Sequence, residues 1–575
     1  MRCQLVSYVW LALGPTLCAY ADAAWSLQPS AHTWDGRTNE SIGAAAGRNL
    51  LYIISDDLRS ELGRVHLQPS FQKLLGKSML FDRTFVQQAV CNPSRQSFLT
   101  ARRPDTTGVW NMKAHFRDLS PNVVSFPGAF KNAGFETCGV GKVFHHSEGS
   151  HHDWSCDDWY DPKKLGASKI ADLPDSSYED GMAMDRTLAK LSEFASKGRP
   201  FMWTVGLRKP HLAWFYPKRF LDVNKGEPAP EPLPPRNACN YSLYECTERV
   251  RDVPHHTPYS PLPAATQAKY RQQYRGAVTW VSYVVGNIVD HLEKVGLAAN
   301  TMLIFHGDHG WNLGDHGMWC KQSNFETTTR APLLFHVPWL PQTFGVRTNA
   351  MVEMIDVMPT ALELMGLTET VRDRHEWDGV SFAGLLANPS KREWKNATFS
   401  QYQRCGAPEE GFTFAITNPC EYVATSDFRF IGHSIRTDES SSIGAWRYTV
   451  WVKWDPKKLR PHWNEVVGEE LYSHSGDAEP DIDTGFERIN VASEPSARGK
   501  KEALRAALLA HAAAEEQIVA EHPTVSAPVS SPSAPCAVSG GPVQLRIASE
   551  EGGRLVGYNH PSSMFDVKTE YFTGR

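Results

Sequence analysis

Leu50-Leu51-Tyr52-Ile53-Ile54 is an unbroken apolar run, the pattern of a strand buried on both faces in a parallel sheet. It stops at Ser55-Asp56-Asp57. Met302-Leu303-Ile304-Phe305 repeats the pattern far downstream and ends at His306-Gly307-Asp308-His309-Gly310. Phe201 to Gly206 reads as a third buried strand, followed by Arg208-Lys209-Pro210-His211, and Pro332 to Val337 as a fourth apolar stretch. The segments Gln267 to Val295, Met354 to Leu364 and Ala497 to His522 read as helices. From roughly Arg392 the pattern changes to short alternating strands such as Tyr448 to Val452, as in a small antiparallel sheet. Both acidic clusters therefore fall just past strand carboxyl ends, where open α/β sheets bind ligands. Carboxylates gathered there repel one another unless a hard cation takes them, and oxygen donors suit Ca²⁺ or Mg²⁺. Taken singly, adjacent acids after a strand are more often a solvated loop or a helix cap.

The chain has 575 residues, room for one large α/β domain and a smaller partner. Its formal net charge of -5 offers no basic footprint for nucleic acid, so any anion site has to be local. Arg2, an apolar run from Leu5 to Ala19 and Ala21-Asp22-Ala23 match a signal peptide over residues 1–23, and no later segment reaches the apolar length of a membrane span. Sequons at Asn39, Asn240 and Asn396 fit a glycoprotein of the secretory pathway, lysosomal or extracellular. Of eleven cysteines, Cys3 and Cys18 lie in the signal; local pairs Cys239 with Cys246 and Cys405 with Cys420 are the first expectation, and Cys320 is expected to pack near the acidic cluster. Pro228 to Pro235 is a loop, and no internal repeat is present.

Cys91-Asn92-Pro93-Ser94-Arg95, followed by Leu99-Thr100-Ala101-Arg102, carries the most specific chemistry. A buried Cys at a helix start is the plain reading of those five residues alone. The stretch resembles the CxPSR signature of the type I sulfatases, with Ala101 where that family usually carries Gly. The resemblance implies oxidation of Cys91 to formylglycine by the formylglycine-generating enzyme; the hydrated aldehyde carries two hydroxyls, one to attack sulfur and one to expel sulfate afterwards. It also implies a metal site of Asp56, Asp57, Cys91, Asp308 and His309 for one Ca²⁺ per chain. Asp308-His309 in place of Asp-Asn, and the spacing of Lys142 and His145, resemble the branch holding iduronate-2-sulfatases and choline sulfatases. By the same resemblance Lys142 and Lys321 bind the sulfate group, Arg95 steadies the formylglycine hydroxyl, His145 assists sulfate release, and His211 protonates the leaving oxygen. Trp311 is a candidate pocket wall; it could equally pack the strand end.

The implied fold is α/β and alkaline-phosphatase-like, a large mixed sheet flanked by helices with a smaller C-terminal antiparallel-sheet subdomain. Expected divisions are a catalytic domain over 24–391, a C-terminal subdomain over 392–522, a Ser/Pro-rich linker over 523–542 and a tail over 543–575 of unassigned role. The expected activity is hydrolysis of a sulfated saccharide, the 2-O-sulfate of a uronic acid in a glycosaminoglycan or related polysaccharide. Choline sulfate cleavage, phosphonate hydrolysis on the same fold and a catalytically silent glycan-binding glycoprotein remain as alternatives.

Overall fold

The computed structural model describes residues 47–145, 151–156, 161–162, 166–243, 246, 256–371, 374–391, 394–406, 420–482 and 485–521. The signal segment, Asn39, the linker and the tail lie outside the described residues.

The first apolar run forms β1 (Asn49–Asp56), buried at every position. The strands that follow are β2 (Met79–Phe85), β3 (Glu136–Gly141), β4 (Phe201–Pro210), β5 (Thr301–Gly307), the two-residue pair β6 (Asn312–Leu313) and β7 (Trp319–Cys320), β8 (Arg330–His336) and β9 (Arg347–Glu353). Seven of them make one sheet in the order β3-β4-β1-β5-β8-β2-β9. β1 runs parallel to both β4 and β5, with Ile54 opposite Gly206 on one side and His306 on the other. β8 is antiparallel to both of its neighbours, which makes the sheet mixed.

Side chains of a strand alternate between faces, and here both faces are covered. Leu50, Tyr52 and Ile54 enter one apolar cluster with Phe126, Phe130 and Met358, while Leu51 and Ile53 enter another with Trp203, Trp280 and Val284. The second cluster is roofed by the helices Glu179–Lys197 and Ala264–Lys294. Cladding on both sides explains why the strands read as continuous apolar runs rather than alternating ones.

The remaining strands, β10 (Ala397–Arg404), β11 (Phe430–Thr437), β12 (Trp446–Asp455) and β13 (Arg460–Ser473), form a separate antiparallel sheet in sequence order. The helix Arg498–Glu521 contributes Leu504 and Leu508 to its core beside Ile431, Ile435 and Tyr448. The architecture is the α/β fold expected of alkaline-phosphatase-like sulfatases.

Candidate active site

Four parallel strands deliver their carboxyl ends to one place. Asp56 ends β1, Lys142 follows β3, His211 follows β4, and Asp308 follows β5. The helix Cys91–Phe98 points its first residue into the same spot.

Cys91 is fully buried, with Sγ 3.3 Å from Asp56 Oδ1, 3.9 Å from Asp57 Oδ1 and 3.5 Å from His309 Nε2. Lys321 Nζ lies 3.2 Å from the same sulfur and donates to Asp57 Oδ1 at 2.8 Å. Lys142 Nζ donates to Asp56 Oδ2 at 2.5 Å. Arg95 donates from Nε to Asp308 Oδ2 at 2.9 Å, from Nη2 to Asp56 Oδ1 at 3.2 Å, and from Nη1 to the carbonyls of Lys142 and Val143. The backbone N–H of Asp57 donates to Asp308 Oδ1 at 2.8 Å, made possible by a left-handed turn at Asp57 with φ of 63°, a conformation Asp tolerates better than most residues.

Charge balance inside this buried cluster sets the ionisation of its members. Burial alone would raise the Asp56 carboxyl, yet Lys142, His211 and Arg95 outweigh it and hold Asp56 well below the usual carboxylate range. Asp57 goes the other way: burial dominates over the attraction of Lys321 and lifts it well above that range. Burial, reinforced by Asp56, pushes the Cys91 thiol up to about 12, so the thiol itself is a weak nucleophile near neutral pH.

Ligand atoms of Asp56, Cys91, Asp308 and His309 all lie within 4.8 Å of one another. Asp57 Oδ2, buried beside them, accepts no hydrogen bond. An orphaned carboxylate oxygen among three buried acids is what a hard cation would satisfy, so the donor set fits a divalent metal. His309 turns Nε2 toward the cluster while Nδ1 sits 2.8 Å from the Gly310 carbonyl, which fixes the ring's orientation.

His211 Nε2 is 3.9 Å from Asp57 Oδ2, and with its side chain 30 % exposed it is the most accessible of these groups. His145 is half-buried at the end of its described segment. Trp311 is 1 % exposed, and Lys321 Nζ sits 5.2 Å from its ring centroid. It therefore braces Lys321 from within the core and does not form an open pocket wall. Asn240 is exposed and Asn396 half-buried.

The cysteine pairing differs from expectation at one of its two local pairs. Cys405–Cys420 is bonded, but Cys246 pairs with Cys320 and Cys138 with Cys156, leaving Cys239 as a free thiol. β7 carries Cys320 to Cys246 across 74 residues with Cα atoms 5.6 Å apart, whereas Cys239 is drawn to β13, its N–H donating to Glu470 Oε1. Sequence reasoning also missed Lys209 and the buried Arg59–Asp315 pair behind the loop after β5. Their meaning comes from burial, which a single charged residue in the sequence does not advertise.

Residues 48–367 match the family described as Sulfatase, and residues 314–442 match the family described as N-sulphoglucosamine sulphohydrolase, C-terminal. The chain belongs to the sulfatase family, in its type I class, and is a sulfuric ester hydrolase. It is similar to iduronate 2-sulfatase of Mus musculus, 31% identical over 74% of this chain and 88% of that protein. It is likewise similar to iduronate 2-sulfatase of Homo sapiens, 30% identical over 76% of this chain and 91% of that one. Among solved structures, a phosphonate monoester hydrolase from Silicibacter pomeroyi shares the fold with a TM-score of 0.60 at 17% identity, covering 81% of this chain and 96% of the other.

Proposed function

We propose that the protein, matured by conversion of Cys91 to formylglycine, removes the 2-O-sulfate of a uronic acid at the end of a glycosaminoglycan or related polysaccharide. The observation that carries the chemistry is the seat of Cys91, within 4 Å of Asp56, Asp57, His309 and Lys321 at the meeting of strand ends. The substrate class is supported by the likeness to two iduronate 2-sulfatases over about three quarters of the chain, together with Asp308-His309 and the Lys142 to His145 spacing.

Asp56, Asp57, Asp308 and His309, with residue 91, would hold the metal, and calcium suits a set led by carboxylate oxygens. A divalent cation held there would offset the charge of the acids and lower the pKa of a hydroxyl at residue 91, while the hydrated aldehyde itself would offer one hydroxyl for attack and a second for release of sulfate. Lys142 and Lys321 flank residue 91 and supply positive charge for the sulfate oxygens. Arg95 keeps Asp56 and Asp308 in register with the helix that presents residue 91. His211, reachable from outside and facing the cluster through Nε2, would give its proton to the departing sugar oxygen. His145 would take a proton as sulfate leaves.

Maturation requires the formylglycine-generating enzyme, and three disulfides with an exposed Asn240 sequon support passage through an oxidising secretory compartment to the lysosome or the outside. Mass spectrometry of the residue-91 peptide from active protein tests the chemistry: the aldehyde is expected, and an unmodified thiol throughout overturns it. A panel at matched concentration tests the substrate, with terminal 2-O-sulfated uronate expected to outrun 6-O- or N-sulfated glucosamine and choline sulfate. Preference for either competitor overturns the uronate assignment.

A further inference from the structure

Lys209 is the next-to-last residue of β4 and is 6 % exposed. Its ammonium is spent on backbone: Nζ donates to the carbonyl of His211 at 2.9 Å and to that of Ala213 at 2.8 Å. Its own backbone is tied as firmly, the N–H donating to Asp180 Oδ2 at 3.0 Å and the carbonyl accepting from the Ser55 hydroxyl at 2.7 Å. Arg208 N–H donates to Asp180 Oδ1 at 2.7 Å, and the Trp214 indole donates to the Pro210 carbonyl at 2.7 Å.

Burying an ammonium is costly unless its donors are satisfied. Burial pulls the Lys209 ammonium below its ordinary value, against the attraction of Asp180. What satisfies it are two carbonyls that bracket Leu212, in the turn that carries His211. The His211 ring itself is part-exposed, with Nδ1 2.5 Å from the Leu212 carbonyl and Nε2 3.9 Å from Asp57. Both ends of that ring's setting therefore depend on how the turn is held.

We propose that Lys209 is a positioning residue for proton transfer to the leaving group: its ammonium, clamped between the His211 and Ala213 carbonyls, fixes the turn that aims His211 at the cluster. The proposal rests on the reading of His211 as the proton donor. A proton donor misaimed by an ångström is a poor one, while the sulfate-binding and metal-holding side chains, carried by other strands, stay where they are.

Leaving-group chemistry separates this role from general support. A sugar alkoxide must be protonated as it leaves, whereas nitrophenolate departs readily without a proton. His211→Ala and Lys209→Met are therefore each assayed on the sugar sulfate that the parent protein turns over fastest and on nitrophenyl sulfate. Loss of a general acid predicts a fall of about 100-fold or more in kcat on the sugar sulfate for His211→Ala, with a much smaller fall on the aryl sulfate. Lys209→Met is expected to show the same selectivity at about 10-fold or more, with KM for the aryl sulfate little changed.

Equal losses on both substrates for Lys209→Met, or none, beside a selective His211→Ala, overturn the positioning role alone. A His211→Ala variant without selectivity overturns the reading of His211 and this inference with it. Should Lys209→Met not accumulate as folded protein, Lys209→Gln, which keeps a donor of similar reach, is put through the same comparison: selective loss on the sugar sulfate supports the positioning role, and equal or absent loss overturns it.

Discussion

Arg95 and Asp308, 213 residues apart, meet through a 2.9 Å hydrogen bond from Nε to Oδ2 with both side chains fully buried. The same guanidinium reaches Asp56, so one residue of the Cys91 helix fastens the ends of β1 and β5 together. Arg95→Gln would take the guanidinium from Asp308 and leave Asp56 with Lys142 as its ion-pair partner. Removing one partner of a buried pair costs about 3–5 kcal/mol, so the urea midpoint should fall clearly and activity should be lost. Arg95→Lys keeps the charge but loses the fork and should recover only part of either. An unchanged midpoint in the Gln variant would show that the pair contributes nothing net to folding.

The clustering of Asp56, Asp57 and Asp308 was legible because an apolar strand that stops at Asp-Asp or at Asp-His is a local pattern, readable without knowing the fold. β8 was legible as an apolar stretch but not in direction, since nothing in Pro332 to Val337 encodes that it runs antiparallel between β5 and β2. Spacing found Cys405–Cys420, but the partner of Cys246 depended on where β7 and β13 lie, a long-range matter on which spacing is silent. The sequence left Trp311 open between a pocket wall and packing at the strand end; its burial beside Lys321 favours packing. Ala101 is instructive in the other direction: its φ of 56° is a left-handed conformation, which gives a physical reason for glycine to be the usual residue there.

Asp180 should make folding favour acid. Burial raises its carboxyl from 3.8 to about 6, against Lys209 and two backbone N–H donors. A raised folded value means the folded state binds the proton more tightly, so the stabilisation is complete below about pH 4 and is lost as pH climbs through 6. At 1.36 kcal/mol per unit the swing is up to about 3 kcal/mol. Asp180→Asn should therefore flatten the stability profile between pH 4 and pH 7, read as urea midpoints across that range. A variant profile parallel to that of the parent protein would remove Asp180 as the source.

The Cys246–Cys320 bridge should act on Lys321. Cys320 and Gln322 both adopt positive φ, 69° and 71°, so the chain on either side of Lys321 is bent into a form that needs outside support. That support is the disulfide on one side and a Gln322 contact with Glu421 on the other. Replacing both cysteines by Ala should cost about 2–5 kcal/mol and raise KM for the sulfate ester as Lys321 loosens. An unaltered KM beside a lowered midpoint would confine the bridge to stability.

Glu326 should matter to folding far more than to turnover. Its Oε2 accepts from Arg436 Nε at 2.8 Å and Arg447 Nη2 at 3.1 Å, and its Oε1 from Arg330 Nη1 at 3.2 Å. Arg330 begins β8, while Arg436 and Arg447 lie on β11 and β12, so one carboxylate ties the large sheet to the antiparallel one. Burial opposes its ionisation, but Arg436, His474 and Arg447 outweigh burial and hold it well below the usual carboxylate range. A depressed folded value gives stability that persists above the unfolded value and disappears only as pH falls through the folded one, so mild acid should leave this tie intact. Glu326→Gln keeps the shape and removes the charge, taking from buried Arg330 its ion pair and leaving Arg436 to Asp477 and Arg447 to Glu487, at a cost of about 3–5 kcal/mol. The expected result is a lowered urea midpoint with kcat per folded molecule within a few-fold of the parent value, measured at a temperature where both are folded. A large fall in kcat with the midpoint unmoved would mean that the network serves Lys321, five residues upstream, and not the junction of the two sheets.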